Sequence, residues 1–268
     1  EPLDFDNWPL ISASPIPFDN VNQTPKEMNK SDMDMIVEQF INSTKMSDDA
    51  AFDMIEIHMA HGYLLSSFIS PVSNVREDEY GGALENRMRF PIEVLQAVRS
   101  VWPKNKPISC RISATDWLED SGVTGDEAVR IAKLLYSHGA DIIDVSAGWT
   151  SSQANPVYGR MFQTHLSEQV RLEAGVPTIA VGNITSADQV NTIIAGGRAD
   201  LVALARPHLT DPHFTLSAAA HYGFEQQCWP NQYLAGKAQS MRLAEQENAR
   251  LDELLHANKP QSHSQSEK

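Results

Sequence analysis

The sequence predicts an α/β fold of the (β/α)8-barrel type, with five βα units present, too few to close eight-strand geometry. Three observations carry this. Short apolar runs alternate with amphipathic stretches five times over, the rhythm of βα units. The runs are apolar throughout, as strands buried on both faces of a parallel sheet require. Nearly every run also ends on a polar, charged or glycine residue, where barrels place their chemistry.

Residues 1–30 are rich in Pro, Asn and Asp and read as an irregular N-terminal segment. Thr24-Pro25-Lys26-Glu27 has the pattern of a helix start, and Ser31-Asp32 offers a second cap for a helix over about 31–49. The strand-like runs are 53–57, 107–112, 141–145, 177–181 and 200–205. The helical stretches between and after them are 85–102, 124–138, 165–174, 186–195 and 212–222. These elements define a partial barrel over 31–222. A helical extension follows over 223–255, its helix beginning at Leu234, and 256–268 reads as a polar, disordered tail. A doubly wound sheet would give a similar rhythm, but it gathers its ligand residues at one switch point. No GxGxxG or Walker loop is present, and the barrel is favoured.

The 268 residues suffice for one sizeable domain, and no apolar run reaches the ~20 residues of a membrane helix. A net charge of -14 argues against nucleic acid or an anionic membrane as partner, leaving a small-molecule substrate. The two cysteines allow at most one bridge, and the cytoplasm is the expected compartment. The opening Glu1-Pro2-Leu3-Asp4 lacks a start methionine and any leader pattern, so the chain reads as a piece of a longer protein. No lysine ends a strand and no GxSxG elbow occurs, which disfavours Schiff-base and serine-nucleophile chemistry.

The strand ends hold the candidates. His58 and His61 follow the first run, with Gly62 to turn the chain and Tyr63 as a proton donor. A lone histidine is usually a satisfied core residue; two with a tyrosine at a strand exit can hydrogen-bond one oxygen and polarise it. A metal is the rival ligand, but no third ligand is evident. Arg111 lies inside a strand built for burial, so it is either half of a buried ion pair or a contact to an anionic cofactor. Ser146 and Gly148 end the third strand. Gly182 and Asn183 end the fourth, and Arg206 follows the fifth. Loops after the last two barrel strands often bind phosphate; the plainer reading is a tight turn plus a surface arginine.

With these residues in hand, the chain resembles the Old Yellow Enzyme family of NADH:flavin oxidoreductases. The likeness rests on Phe52-Asp53-Met54-Ile55-Glu56-Ile57-His58, His61-Gly62-Tyr63-Leu64-Leu65 and Phe68-Ile69-Ser70-Pro71. Asn74, Arg76, Asp78-Glu79-Tyr80-Gly81-Gly82 and Glu85-Asn86-Arg87 extend it, with weaker agreement up to Arg206. The resemblance implies FMN and NAD(P)H as cofactors, with hydride passing to an activated alkene or dearomatised ring. It implies that His58 and His61 bind the substrate oxygen and that Tyr63 lines the site. It implies flavin contacts from Arg111, Ser146, Gly148, Gly182, Asn183, Ala205 and Arg206, Ala205 standing where the family commonly has glycine. The family's first three βα units would then be missing here, together with their flavin contacts.

Trp8-Pro9-Leu10-Ile11, the stretch from Val157 to Thr164, and Trp229-Pro230-Asn231-Gln232-Tyr233 are similar to a narrower group. These are the flavin-reductase-like domains of salicylyl-CoA 5-hydroxylase and 2-aminobenzoyl-CoA monooxygenase/reductase. That likeness implies an aryl-CoA substrate, a role in aromatic catabolism, and an FAD hydroxylase domain upstream. It leaves room for a missing barrel half or a homo-oligomer as partner. Two other readings stay open: a catalytically silent fragment of such an enzyme, and a metal-dependent barrel hydrolase using His58 and His61.

Overall fold

A computed structural model describes residues 7–257, which fall into two compact units divided between Leu204 and Ala205. The barrel elements were expected to run on to residue 222. Residues 258–268 of the expected tail lie outside the described residues.

The first unit opens with two short strands, β1 (Ile11–Ser12) and β2 (Lys26–Glu27), which pair in parallel. Lys26 and Glu27, expected to start a helix, are therefore extended. Helix α1 (Lys30–Asp49) starts instead from Asn29, whose side chain caps the Asp32 N–H while Asp32 caps Asn29 in return. The segment is fixed by Arg76, which donates to the carbonyls of Ala13 (2.9 Å) and Met28 (2.8 Å).

A five-stranded parallel sheet follows, in the order of the chain: β3 (Ile55–Met59), β4 (Ile108–Ser113), β5 (Ile142–Ser146), β6 (Thr178–Ala180) and β7 (Leu201–Val202). The α/β class and the parallel sheet are as the sequence predicts. Each strand starts one or two residues later than expected, and β7 is far shorter. The helices between the strands are α2 (Leu64–Ile69), α3 (Leu84–Arg87), α4 (Arg89–Val101), α5 (Gly125–Ser137), α6 (Thr164–Gln169) and α7 (Ala187–Ala195). The expected helix over 85–102 is broken at Met88, and a π-turn over Val170–Ala174 extends α6. The short α2 has no counterpart in the expectation, because its apolar run is too brief to show a period.

The core lies on the helix-facing side of the sheet. In α4, Phe90, Val94, Leu95 and Val98 are buried; in α5, Ala128, Ile131, Ala132 and Leu135. Both sets recur at helical spacing, and each large side chain contributes about 1.5–3 kcal/mol by burial. Phe68 of α2 meets Phe90 with ring centroids 4.7 Å apart. At the opposite end of the strands from the site, two aspartates hold the register. Asp141 precedes β5 and accepts from the Ile108 N–H of β4 (2.8 Å). Asp200 precedes β7 and accepts from the Thr178 N–H of β6 (2.9 Å). Each aspartate also pairs with a helix arginine, Arg99 or Arg171.

The second unit contains α8 (Arg206–Thr210), α9 (Phe214–His221) and α10 (Leu234–Ala257). Its residues are largely exposed, Leu251, Leu254 and Leu255 among them.

Arg87 places a charged group inside the fold. It is buried and donates to the carbonyls of Ile69 and Gly82 and to the Glu127 carboxylate, tying α2, a loop and α5 together. Its loss leaves these acceptors in a dry setting. Arg87→Met is therefore expected to lower stability by about 3–5 kcal/mol in urea denaturation. The exposed pair of Arg130 with Glu85 should give only about 0–1 kcal/mol when Arg130 is replaced. Equal effects at the two positions would contradict the account.

Candidate active site

Alternation along the strands decides which side chains reach the site. In β3, Ile57 and Met59 turn into the core, so Glu56 and His58 turn the other way. The parallel register places His58 beside Arg111 of β4, and Arg111 beside Asp144 of β5. Ser113 of β4 stands beside Ser146 of β5. One face of the sheet thus presents Glu56, His58, Ser109, Arg111, Ser113, Asp144 and Ser146. His58 was expected just after the strand; it lies inside β3, and that is what puts it in register with Arg111.

After Ala60 the chain turns sharply. His61 (φ 63°) and Gly62 (φ 70°) take successive left-handed conformations. At Gly62 a Cβ would stand 2.6 Å from the Trp149 carbonyl oxygen, so no other residue fits the turn. The turn brings the His61 ring to 5.2 Å from that of His58, and Tyr63, exposed at the start of α2, to 5.4 Å from His58. The two histidines and the tyrosine do converge.

Ser113 Oγ accepts the His61 backbone N–H (2.9 Å) and donates to the Gly148 carbonyl (3.1 Å). Ser146 Oγ lies 2.7 Å from His61 Nε2 and sets the plane of the ring. Burial, then the charges of Arg111 and His58, depress the His61 pKa to about 4. Burial and Arg111 also depress His58, against an opposing pull from Glu56. Both imidazoles are therefore neutral near pH 7.

Arg111 stands beside one buried carboxylate. Its Nη1 is 3.6 Å from Asp144 Oδ2, an ion pair too long for a hydrogen bond. Glu56 accepts from Ser109 Oγ at 2.8 Å. Burial raises the Asp144 carboxyl well above the usual carboxylate range; Arg111 resists this and Glu56 reinforces it. Arg111 Nε is buried and has no partner.

Gly182 and Asn183 lie at the end of β6. Gly182 (φ 115°) lets Gln163 pack against the strand end, where a Cβ would come within 2.9 Å of its Oε1. That Oε1 is itself buried without a partner. Asn183 donates to the Gly159 carbonyl (3.0 Å). Ala205 and Arg206, both exposed, open α8 in the second unit. Among the described residues, no group of three His, Cys, Asp or Glu is placed to hold a metal.

Sequence reasoning missed Gln163 and Asp116. Asp116 is fully buried and accepts from Ser70 Oγ (2.7 Å), the Val123 N–H (2.8 Å) and Thr150 Oγ1. Both residues sit in loops, where no periodicity announces a buried polar group.

The residues present suit a flavin in the parts they would supply. The Arg111 guanidinium, with its Nε unpaired, matches an acceptor-rich ring edge, and the open Gln163 Oε1 matches a hydroxyl-bearing chain. Comparison with known proteins agrees. The model of the NADH:flavin oxidoreductase / NADH oxidase family matches residues 10–225. An NADPH dehydrogenase of Clostridium acetobutylicum is 46% identical over 209 residues, 78% of this chain and 61% of the relative. An NADPH dehydrogenase of Geobacillus sp. (strain WCH70) is 45% identical over 214 residues, 80% of this chain and 62% of the relative. The chain thus spans about three-fifths of the length of these curated relatives. A structure of 2-naphthoyl-CoA reductase in complex with 2-naphthoyl-CoA superposes with a TM-score of 0.70 at 26% identity, over 76% of this chain and 32% of that one. The chain belongs to the NADH:flavin oxidoreductase family, the Old Yellow Enzymes, whose cofactors are FMN and NAD(P)H.

Proposed function

We propose that this chain forms the substrate-facing part of an FMN-dependent oxidoreductase that passes hydride from NAD(P)H to an activated unsaturated compound. The observation that carries this reading is the neutral pair His58 and His61, held 5.2 Å apart beside Arg111. Two neutral N–H donors can grip one carbonyl or phenolic oxygen without surrendering a proton to it, and so draw electron density from the conjugated system. Ser146 fixes the plane of His61 and leaves its other ring nitrogen for the ligand. Tyr63 is the proton donor. Arg111 would contact the flavin ring, with Ser146, Gly148, Gly182 and Asn183 as further proposed contacts. FMN held there would supply two-electron hydride transfer from NAD(P)H to the substrate.

The sheet is read as one arc of an eight-stranded barrel, with three further βα units supplied from outside this sequence. The proposed substrate class is an aromatic CoA thioester. It is supported by a solved structure of similar fold, 2-naphthoyl-CoA reductase in complex with 2-naphthoyl-CoA.

The test uses an FMN-loaded protein of the relatives' full length carrying this sequence. Replacing both histidines, His58→Ala with His61→Ala, should lower NADPH-driven reduction of 2-cyclohexen-1-one at least a hundredfold, the cost of a lost oxyanion donor. Flavin absorbance should be retained. Turnover within a few-fold of the parent would remove the histidines from the site.

A second outcome concerns pH. His61 is held at about 4 in the folded chain against an ordinary value of 6.5. Between these values the unfolded chain binds a proton here that the folded chain does not. The His61 contribution to stability is therefore complete above about pH 6.5 and is lost as pH falls towards 4. Nitrogen-15 NMR of the imidazole should show a neutral ring down to about pH 5. Arg111→Met should move the midpoint upward. A midpoint near 6.5 in the unaltered protein would contradict the assignment.

A further inference from the structure

Among the described residues α10 is the longest helix, and it lies beyond the stretch 10–225 that matches the family. Nothing in the flavin chemistry accounts for it. One of its faces is taken up within its own unit. Lys237 donates to the Glu225 carbonyl (2.8 Å), and Met241, Ala244 and Asn248 line a cleft with Ala220 of α9 and Gly223. A second face is left open. A helix draws most of its stability from burying an apolar stripe, yet Leu243 and Leu254 stand 52% and 53% exposed.

These two leucines belong to one seam. Leu243, Glu247, Arg250 and Leu254 follow one another at spacings of four, three and four residues, as in the a/d row of a helix pair. At about 3.6 residues per turn, the seam lies roughly a quarter-turn from the face that meets α9. All four residues are exposed, and among the described residues Glu247 and Arg250 have no ion-pair partner. Leu251, also exposed, flanks the row and widens its apolar surface.

The order leucine, acid, base, leucine is complementary to itself when reversed. Two copies laid antiparallel, about a two-fold axis between Asn248 and Ala249, bring Leu243 against the partner's Leu254 and Glu247 against the partner's Arg250. Each contact then occurs twice, as a closed two-fold interface requires. A parallel pair would set Glu247 against the partner's Glu247 and Arg250 against the partner's Arg250, and facing like charges oppose association.

We infer that α10 is a dimerisation helix whose occupant is α10 of a second copy of this chain, antiparallel and in register through Leu243, Glu247, Arg250 and Leu254. Burial of the leucines supplies the attraction, and the central charge pairs set direction and register. The inference is independent of the flavin reading.

The test is analytical ultracentrifugation of the full chain across the micromolar range, with far-ultraviolet circular dichroism to follow helix content. The unaltered chain should show a reversible monomer–dimer equilibrium. Glu247→Arg and Arg250→Glu each set like charges face to face and should weaken dimerisation at least about tenfold. The two single variants, mixed, should form a heterodimer, because each carries the charge that the other lacks. The double variant, Glu247→Arg with Arg250→Glu, should dimerise by itself again, and it decides the matter if a single variant loses helix. A chain that stays monomeric throughout overturns the inference. Association that the single substitutions leave unchanged also overturns it, since that contact would belong to another surface, such as the open edges of the sheet. Failure of the double variant to recover dimerisation overturns it as well.

Discussion

The site depends on one constraint, the lateral register of three parallel strands. Because side chains alternate and β3, β4 and β5 pair without offset at this level, His58, Arg111 and Asp144 stand in a row on one face. A one-residue slip in any of the three would turn its member of the row into the core and bring an isoleucine, a cysteine or a valine to the face instead. Asp141, pinned by Arg99, helps prevent that slip at the far end of β4 and β5. The arginine of the row then sets the electrostatics. Its charge, added to burial, helps keep both histidines neutral, and its ion-pair partner is the buried Asp144.

A chain carrying -14 overall thus sets one guanidinium, Arg111, beside neutral imidazoles on a sheet face. Local geometry there, rather than total charge, decides which ligand fits. The same face shows why glycine and serine recur near the histidines. Ser113 and Ser146 take up the backbone and ring of His61, and Gly62 allows a turn that packs against a carbonyl. The left-handed His61 costs roughly 1–3 kcal/mol of backbone strain, which these contacts must offset.

Much of the framework was legible in the sequence. The five strands and the main helices are there because apolar runs and amphipathic periods report burial directly. His58, His61 and Tyr63 come together as their spacing at a strand exit suggested. Legibility failed where local rules lost to tertiary contacts. Lys26 and Glu27 carry a helix-start pattern, yet Lys26 donates its backbone N–H to the Leu10 carbonyl and the pair is extended. His58 belongs to β3 because its neighbour in register is Arg111, and pairing partners leave no trace in a single strand. Asp116 and Gln163 were invisible for a related reason, since their importance lies in burial among loops whose approach depends on the whole fold. The short β7 also differs: Ala203 still bonds to Ala180, but ladder geometry ends at Val202.

The central claim is that Arg111 meets the ring of the family's flavin and stabilises its reduced, negatively charged form. The most direct measurement is the midpoint potential of bound FMN in a full-length protein carrying this sequence, with Arg111 intact and as Arg111→Met. Loss of the guanidinium should make the flavin harder to reduce, moving the potential to a more negative value while FMN stays bound. A potential that is unchanged, or that moves the other way, would place Arg111 away from the ring and leave it as a partner of Asp144 alone.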